Sequence, residues 1–249
     1  RGVVALEIGC SAAFVVILPS YQKERRYSMT RVLQAGRKAP LSGSTRSVVV
    51  FLHGYGANGE DLLGLADPLS EHLPDTLFVA PDAPETCAGS PMGFQWFPIP
   101  WIDSSSEEEA ERGLLAAADD LNAFLDALMV DEDVLPEQVV LFGFSQGTMM
   151  SLHVVPRRED AIAGVVGFSG RLMSPELLTD QVLSRPPILL VHGDADDVVP
   201  VQSMPEAVEA LQSADFKEVF AHIMKGTGHG IAPDGLSVAL AFVRDKLSL

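Results

Sequence analysis

Ser145, within the pentapeptide GFSQG at residues 143–147, is the residue of this sequence best suited to covalent chemistry. A serine hydroxyl is a weak nucleophile, so it needs a fixed direction of attack and a neighbouring base. The pattern Gly-x-Ser-x-Gly supplies the direction where a strand turns sharply into a helix, because the serine then lies at the apex of the turn. Residues 138–142 read as a buried strand and residues 147–155 as a helix. Ser145 is therefore the predicted nucleophile.

The base that would activate this serine should lie downstream of it in the chain. Sites with the serine at a strand-to-helix turn of this kind follow the chain order nucleophile, acid, histidine. His222 lies inside the strand pattern of residues 219–224, where a packed or surface role is the simpler interpretation. His229 lies in the loop sequence GTGHG, residues 226–230, and its glycine neighbours let the imidazole reach over the sheet edge. His229 is therefore predicted to take the proton of Ser145 and return it to the leaving group.

The acid should follow the strand at residues 188–191, where the sequence HGDADDVVP contains three carboxylates. One of them would hold the histidine in the correct tautomer and stabilise the imidazolium. Asp194 could instead hydrogen-bond the turn, and Asp197 could cap the next segment. Spacing alone leaves the choice among Asp194, Asp196 and Asp197 open.

Strand patterns and helix patterns, the elements that must position these residues, alternate along the chain from residue 46 onward. This alternation predicts an α/β fold with a mainly parallel sheet, helices on both faces and no large lid domain. We expect one domain over residues 29–249 and an extension outside the core over residues 1–28. The predicted strands are 47–52, 76–80, 138–142, 163–168, 188–191 and 218–224, and the predicted helices are 60–72, 107–129, 147–155, 204–213 and 235–247.

The motifs together resemble those of the phospholipase/carboxylesterase family of α/β hydrolases, which includes acyl-protein thioesterases and small bacterial carboxylesterases. The matching stretches are FLHGYG at 51–56, GFSQG at 143–147, HGDADDVVP at 192–200 and GHG at 228–230. They occur in the family's order and span most of the chain from about residue 46. The resemblance implies an α/β-hydrolase fold and places the catalytic acid on Asp196.

The resemblance also implies an oxyanion hole, in which backbone N–H groups stabilise the charge that develops on the carbonyl oxygen. Its two donors would be the amides of Tyr55 and Gln146, whose side chains we expect to be less constrained. His53 is expected to shape the loop rather than to act in catalysis.

Residues 85–106 predict a long irregular loop that is rich in aromatic side chains, and loops of this length are usually functional. The predicted acyl or alcohol pocket comprises Phe94, Trp96, Trp101 and Met173. The alternative is that these side chains form a satellite core beneath the loop. The family resemblance places a tryptophan of this region near the active site, without deciding between Trp96 and Trp101.

The amino-acid composition argues against several kinds of ligand for this protein. The net charge of −17 argues against nucleic-acid binding and disfavours an anionic membrane surface. Two cysteines, Cys10 and Cys87, give no disulfide framework, and no metal or nucleotide motif is present, so we expect no cofactor and no metal. We expect a cytoplasmic protein without stable membrane insertion, or an exported one if residues 1–28 act as a signal segment.

The expected activity is a serine carboxylesterase acting on small or single-chain esters through an acyl-enzyme. Lysophospholipase and acyl-protein thioesterase activities are alternatives because they use the same chemistry. A non-catalytic binding protein on a hydrolase scaffold is the alternative of a different class. Family members often pair, so a homodimer is a further hypothesis.

Overall fold

The computed structural model describes residues 30–87 and 89–249, and only the backbone of residue 91. The expectation for residues 1–28 therefore concerns residues outside the described ranges. Among the described helices, none combines the length and the apolar character needed to cross a membrane.

A seven-stranded sheet forms the centre of the protein, in the order β1-β3-β2-β6-β7-β8-β9. β1 pairs antiparallel with β3, and every other pairing in this sheet is parallel. The strands are β1 (Ala35–Lys38), β2 (Ser47–Leu52), β3 (Thr76–Pro81), β6 (Val139–Phe144), β7 (Gly164–Phe168), β8 (Ile188–Gly193) and β9 (Val219–Met224). β4 (Glu85–Cys87) and β5 (Ser90–Gln95) form a separate antiparallel hairpin.

Helices cover both faces of the sheet, as burial of a parallel sheet requires. They are α1 (Gly59–Leu63), α2 (Ala66–Ser70), α3 (Pro100–Asp103), α4 (Glu107–Glu132), α5 (Gln146–Val154), α6 (Pro175–Gln181), α7 (Ser203–Ser213) and α8 (Pro233–Lys246). Short 3₁₀ turns occupy Pro136–Gln138 and Val155–Arg157. The longest helix, α4, is capped at its amino end by Ser106, whose hydroxyl accepts from the Glu109 amide while the Glu109 carboxylate accepts from the Ser106 amide.

The core divides into two layers because successive side chains of a strand point to opposite faces. Val48, Val50 and Leu52 of β2 belong to the layer that contains the buried side chains of α4, α5 and α7, whereas Val49 and Phe51 belong to the layer that contains those of α1, α2 and α8. In the second layer, the rings of Phe51, Phe78, Phe142 and Phe168 form a continuous series of stacked and edge-to-face contacts. This core fixes the relative positions of the strand ends that carry the site.

The sequence-based prediction was wrong at several elements. Residues 85–106 are not irregular, because they contain the β4–β5 hairpin and α3. The single helix predicted over 60–72 is two short helices, α1 and α2. The edge strand β1 and helix α6 were not predicted. The other predicted strands and helices are present, with ends that differ by a few residues.

Candidate active site

Ser145 lies at the turn between β6 and α5 with φ 53° and ψ −114°. A positive φ is uncommon for a residue other than glycine and costs on the order of 1–3 kcal/mol, which the surrounding structure must offset. The Ser145 amide donates to the carbonyl of Phe168 at 2.8 Å, which ties the turn to the end of β7. The sequence therefore predicted this strained turn correctly.

The two glycines of GFSQG are required by close packing rather than by backbone conformation. A Cβ at Gly147 would lie 1.8 Å from the carbonyl oxygen of Leu52, and one at Gly143 would lie 2.6 Å from the backbone of Gly147. These distances are far below van der Waals contact, so any side chain would push β2, β6 and α5 apart.

His229 and Asp196 are joined by a hydrogen bond of 2.8 Å between Nδ1 and Oδ2. The Asp196 side chain has no accessible surface, and its Oδ1 accepts from the amides of Val198 and Val199, both at 2.9 Å. Burial alone would raise the pKa of Asp196, but the hydrogen bonds from His229, Val199 and Val198 outweigh it and lower this pKa. Asp196 is therefore a fixed anion that faces the Nδ1 of His229.

A second histidine completes the surroundings of this carboxylate. The Nε2 of His192 lies 2.9 Å from the carbonyl oxygen of Val199 and 3.3 Å from Oδ2 of Asp196. Because both neighbours are acceptors, Nε2 carries the hydrogen. His192 thereby fixes the loop that presents Asp196.

The other two candidate acids of this loop have different surroundings. Asp194 accepts from the amide of Gly226 at 2.6 Å, so it fixes the turn ahead of His229. The cap of the segment at Val198 and Val199 comes from Asp196 itself and not from Asp197, which is exposed. The open alternative for Asp194 was thus correct, and that for Asp197 was wrong.

The loop that carries His229 packs against the loop after β8 and against β6. The amide of Ala195 donates to Thr227 at 3.0 Å, and the His229 ring lies 4.9 Å from the ring of Phe144. Phe144 directly precedes Ser145, so the structure brings the imidazole close to the turn at Ser145. We call this turn the nucleophile turn, after the predicted role of the serine. His222 instead lies on β9, where its Nε2 is 3.0 Å from Oδ2 of Asp234, which agrees with a surface role.

The loop after β2 approaches Ser145, the predicted nucleophile, closely. A Cβ at Gly54 would lie 3.2 Å from the Cβ of Ser145. The adjacent His53 is fully buried; its Nε2 accepts from the Ala83 amide at 2.9 Å, so its Nδ1 donates to Gly54 at 2.8 Å. Burial lowers the pKa of His53, although the Gly54 hydrogen bond opposes the shift. A neutral His53 therefore shapes this loop, as the sequence predicted.

Gln146 was expected to have a weakly constrained side chain, and this was wrong. Its Oε1 accepts from the amide of Trp96 at 2.9 Å, and its Nε2 donates to the carbonyl of Phe97 at 2.7 Å. The indole of Trp96 donates in turn to the carbonyl of His53 at 3.0 Å. The side chains of Gln146 and Trp96 thus join the nucleophile turn to the loop after β2.

The Tyr55 side chain is also held, through its hydroxyl, which donates to Oδ2 of Asp103 at 3.3 Å. Burial and the neighbouring Cys87 raise the pKa of the Tyr55 phenol well above its usual value. Burial would raise the pKa of Asp103, but hydrogen bonds from Ser105, Ile99 and Tyr55 lower it. A neutral phenol beside an anionic carboxylate links the loop after β2 to α3.

The β4–β5 hairpin docks directly on the same loop. The Gly56 amide donates to Phe94 at 2.9 Å, and the Phe94 amide donates to Ala57 at 2.7 Å. A Cβ at Gly93 would lie 1.9 Å from the carbonyl oxygen of Gly56, so glycine permits this contact. The aromatic spacing of residues 93–101 did not indicate a strand pairing of this kind.

The four predicted pocket residues have different environments. Trp96 has no accessible surface and belongs to the core, which is the alternative that the sequence left open. Phe94 and Met173 are half-buried and pack against that core. Trp101 is 54% exposed and lies beneath the guanidinium of Arg171, a residue that the sequence did not indicate.

The arrangement can carry out nucleophilic acyl transfer. Ser145, Asp196 and His229 follow β6, β8 and β9 at the carboxyl edge of the sheet, where open α/β sheets bind their ligands. In the described part of the chain, the amides of Tyr55 and Gln146 donate to no other protein atom, so both can serve an oxyanion. The fold and this site define a serine hydrolase of the α/β-hydrolase class.

Comparison with known proteins gives the family. The phospholipase/carboxylesterase family model matches residues 40–247, so the chain belongs to this family. It is 30% identical to acyl-protein thioesterase 1 of Saccharomyces cerevisiae over 214 residues, covering 82% of this chain and 94% of the relative. It is 29% identical to a probable carboxylesterase of Oryza sativa over 217 residues, covering 84% and 81% of the two chains.

Among solved structures, that of esterase PE8 superimposes with a TM-score of 0.83 at 40% identity and covers 87% of this chain and 100% of that chain. The fold prediction from the sequence is therefore confirmed. The family resemblance inferred from the four motifs is confirmed as well.

Proposed function

We propose that this protein is a serine carboxylesterase that hydrolyses small or single-chain esters through Ser145, His229 and Asp196. The observation that carries the proposal is the 2.8 Å hydrogen bond from His229 to the carboxylate of Asp196, whose side chain has no accessible surface. The ring of His229 also contacts Phe144, the residue before the strained turn at Ser145. An anionic Asp196 keeps the hydrogen of His229 on Nδ1, which leaves Nε2 free to accept a proton.

In the proposed reaction, Oγ of Ser145 attacks the ester carbonyl carbon and His229 takes the hydroxyl proton. The amides of Tyr55 and Gln146 stabilise the oxyanion. His229 then protonates the departing alcohol, which leaves an acyl-enzyme on Ser145. A water molecule, deprotonated by His229, attacks this acyl group, and the carboxylic acid leaves as the proton returns to Ser145.

The proposed substrate is a small or single-chain ester, and acyl-protein thioesterase activity is the second candidate. The second candidate is favoured by the name of the yeast relative, whereas esterase PE8 and the rice relative support the first. The triad chemistry is shared, so rates on matched oxygen and sulfur esters of increasing acyl length decide between them. A rate optimum at short oxygen esters supports the esterase.

The proposal is tested by a fluorophosphonate probe, with the labelled residue located by mass spectrometry. We expect one equivalent of label on Ser145 and none in Ser145→Ala. A folded wild type that takes up no label would contradict the proposal and favour a binding protein on a hydrolase scaffold.

Two wider expectations belong to this proposal. The buried free thiol of Cys87 is compatible with a reducing cytoplasm, and cell fractionation tests that location. A homodimer is tested by light scattering, where a monomer mass would reject it.

A further inference from the structure

The guanidinium of Arg171 lies over the indole of Trp101, with its central carbon 5.5 Å from the ring centroid. Trp101 belongs to α3 and Arg171 to the segment after β7, so the contact joins two segments near the carboxyl edge of the sheet. Both residues are exposed, so solvent and a dissolved molecule can reach the pair.

Both partners of this contact are attached to the nucleophile turn. Gly170, next to Arg171, packs so tightly that a Cβ there would lie 2.9 Å from the carbonyl oxygen of Ser145. The segment that leads to Trp101 is held by Gln146, whose Nε2 donates to Phe97 at 2.7 Å. The two segments that carry Arg171 and Trp101 therefore both contact the turn at Ser145 or the residue after it.

Arg171 is not neutralised by an acidic partner. The sequence contains 34 acidic and 17 basic residues, yet Arg171 forms an ion pair with none of the carboxylates in the described part of the chain. Asp103, on the same helix as Trp101, is already occupied by the Ile99 and Ser105 amides and the Tyr55 hydroxyl. The cation–π contact with Trp101 uses none of the N–H groups of the guanidinium, so these groups can bind a two-oxygen anion.

We propose that Arg171, held in place by Trp101, is a specificity-determining residue that binds an anionic group of the ester substrate. The inference rests on the proposed esterase function. The anionic group is either a carboxylate on the acyl part of the ester or a phosphate on its alcohol part. Both groups can accept two parallel N–H hydrogen bonds from a guanidinium. Because the protein carries a net charge of −17, long-range forces repel such a substrate, so Arg171 acts by contact after encounter.

The test compares two pairs of matched soluble esters. The acyl-side pair is 4-nitrophenyl hexanoate and mono-4-nitrophenyl adipate, which differ by a terminal carboxylate. The alcohol-side pair is 1-butyrylglycerol and 1-butyrylglycerol-3-phosphate. The measured quantity is the ratio of kcat/KM for the anionic ester to that for its neutral partner, after subtraction of the rate without enzyme.

We expect Arg171→Gln to lower this ratio about tenfold or more in one pair, mainly through KM, because a charge-assisted contact remote from the reacting bond contributes about that factor. Arg171→Lys should restore only part of the ratio, since an ammonium group cannot bind an anion in a bidentate manner. Arg46→Gln removes one positive charge at the amino end of β2, where Arg46 pairs with Asp75, and should leave both ratios unchanged.

The pair whose ratio changes identifies the anion, acyl carboxylate or alcohol phosphate. Equal effects of Arg171→Gln and Arg46→Gln on the ratios would overturn the proposal while leaving the esterase function intact. A folded wild type that hydrolyses neither neutral ester would overturn the esterase function, and this inference with it.

Discussion

The indole Nε1 of Trp96 donates a hydrogen bond of 3.0 Å to the carbonyl oxygen of His53, in a region that solvent does not reach. The amide of Trp96 donates to the side chain of Gln146 at 2.9 Å. Since Tyr55 follows His53 by two residues, Trp96 links the two backbone segments that carry the proposed oxyanion donors. A charge-stabilising site acts only when its donors are held in place before the reaction.

Trp96→Phe should therefore lower activity without abolishing the fold. The change leaves the buried carbonyl of His53 without this donor, which costs about 1–3 kcal/mol of the free energy of unfolding. We expect kcat to fall about tenfold or more with little change in KM, because the displaced donors act on the transition state. Steady-state kinetics and urea unfolding measure the two effects.

The control for Trp96→Phe is Phe78→Leu, a change in the other core layer, on β3. It should lower the free energy of unfolding by a similar amount while the folded enzyme keeps its kcat. Equal losses of kcat in the two variants would mean that Trp96 contributes stability alone.

Asp196→Asn should lower kcat by a factor on the order of 10⁴, because an amide permits the wrong tautomer of His229 and cannot stabilise the imidazolium. The carbonyl of Asn can still accept from Val198 and Val199, so the loop should persist. Asp194→Asn is the matched control: its oxygen still accepts from Gly226, and activity should stay within about twofold. The measurement is kcat for an activated ester, and a comparable loss in both variants would contradict the choice of Asp196.

Gly147→Ala should prevent the nucleophile turn from forming. Its Cβ would lie 1.8 Å from the Leu52 carbonyl oxygen, and relief of that overlap requires a backbone shift costing more than about 3 kcal/mol. Gly64→Ala is the control, because a Cβ there meets nothing within 4 Å and φ is −57°. We expect the control to be neutral or slightly stabilising. Thermal unfolding of both variants tests this argument. A Gly147→Ala variant with the same Tm as the wild type would refute it.

The sequence contains local patterns for the proposed catalytic residues but none for the distant contacts that hold them in place. Ser145 and His229 could be proposed from short local patterns, the GFSQG turn and the GTGHG loop, and among the glycines of these patterns the structure shows a steric need only at Gly143 and Gly147. Among the three nearby carboxylates, Asp196 could not be chosen from spacing, because the hydrogen bond to His229 joins residues 33 positions apart. The family resemblance chose it.

The contacts of Gln146, Trp96 and Arg171 could not be predicted for the same reason. The Gln146–Trp96 hydrogen bond spans 50 positions, and the hairpin that makes it possible pairs with the loop after β2 rather than with the central sheet. The edge strand β1 has only four residues, and part of its stabilisation comes from antiparallel pairing with β3. Periodicity detects which face of an element is buried but not which distant segment covers it.

His153 gives a prediction for the dependence of stability on pH. It is buried on α5, and burial together with the charge of Arg157 lowers its pKa to about 4. An unfolded histidine titrates near pH 6.5, so between about pH 6.5 and pH 4 the unfolded chain binds a proton that the folded chain does not. This difference lowers the free energy of unfolding as the pH falls through that range, by about 3 kcal/mol at most.

His153→Met fills a similar volume without a titratable group, so the loss due to this residue should disappear. Urea unfolding at pH 7.5 and pH 4.5 should show a smaller decrease for the variant than for the wild type. His53, whose pKa burial also lowers, is present in both proteins and cancels in the comparison. Identical decreases in the two proteins would show that His153 titrates alike in the folded and unfolded chain, and that its burial does not contribute to acid sensitivity.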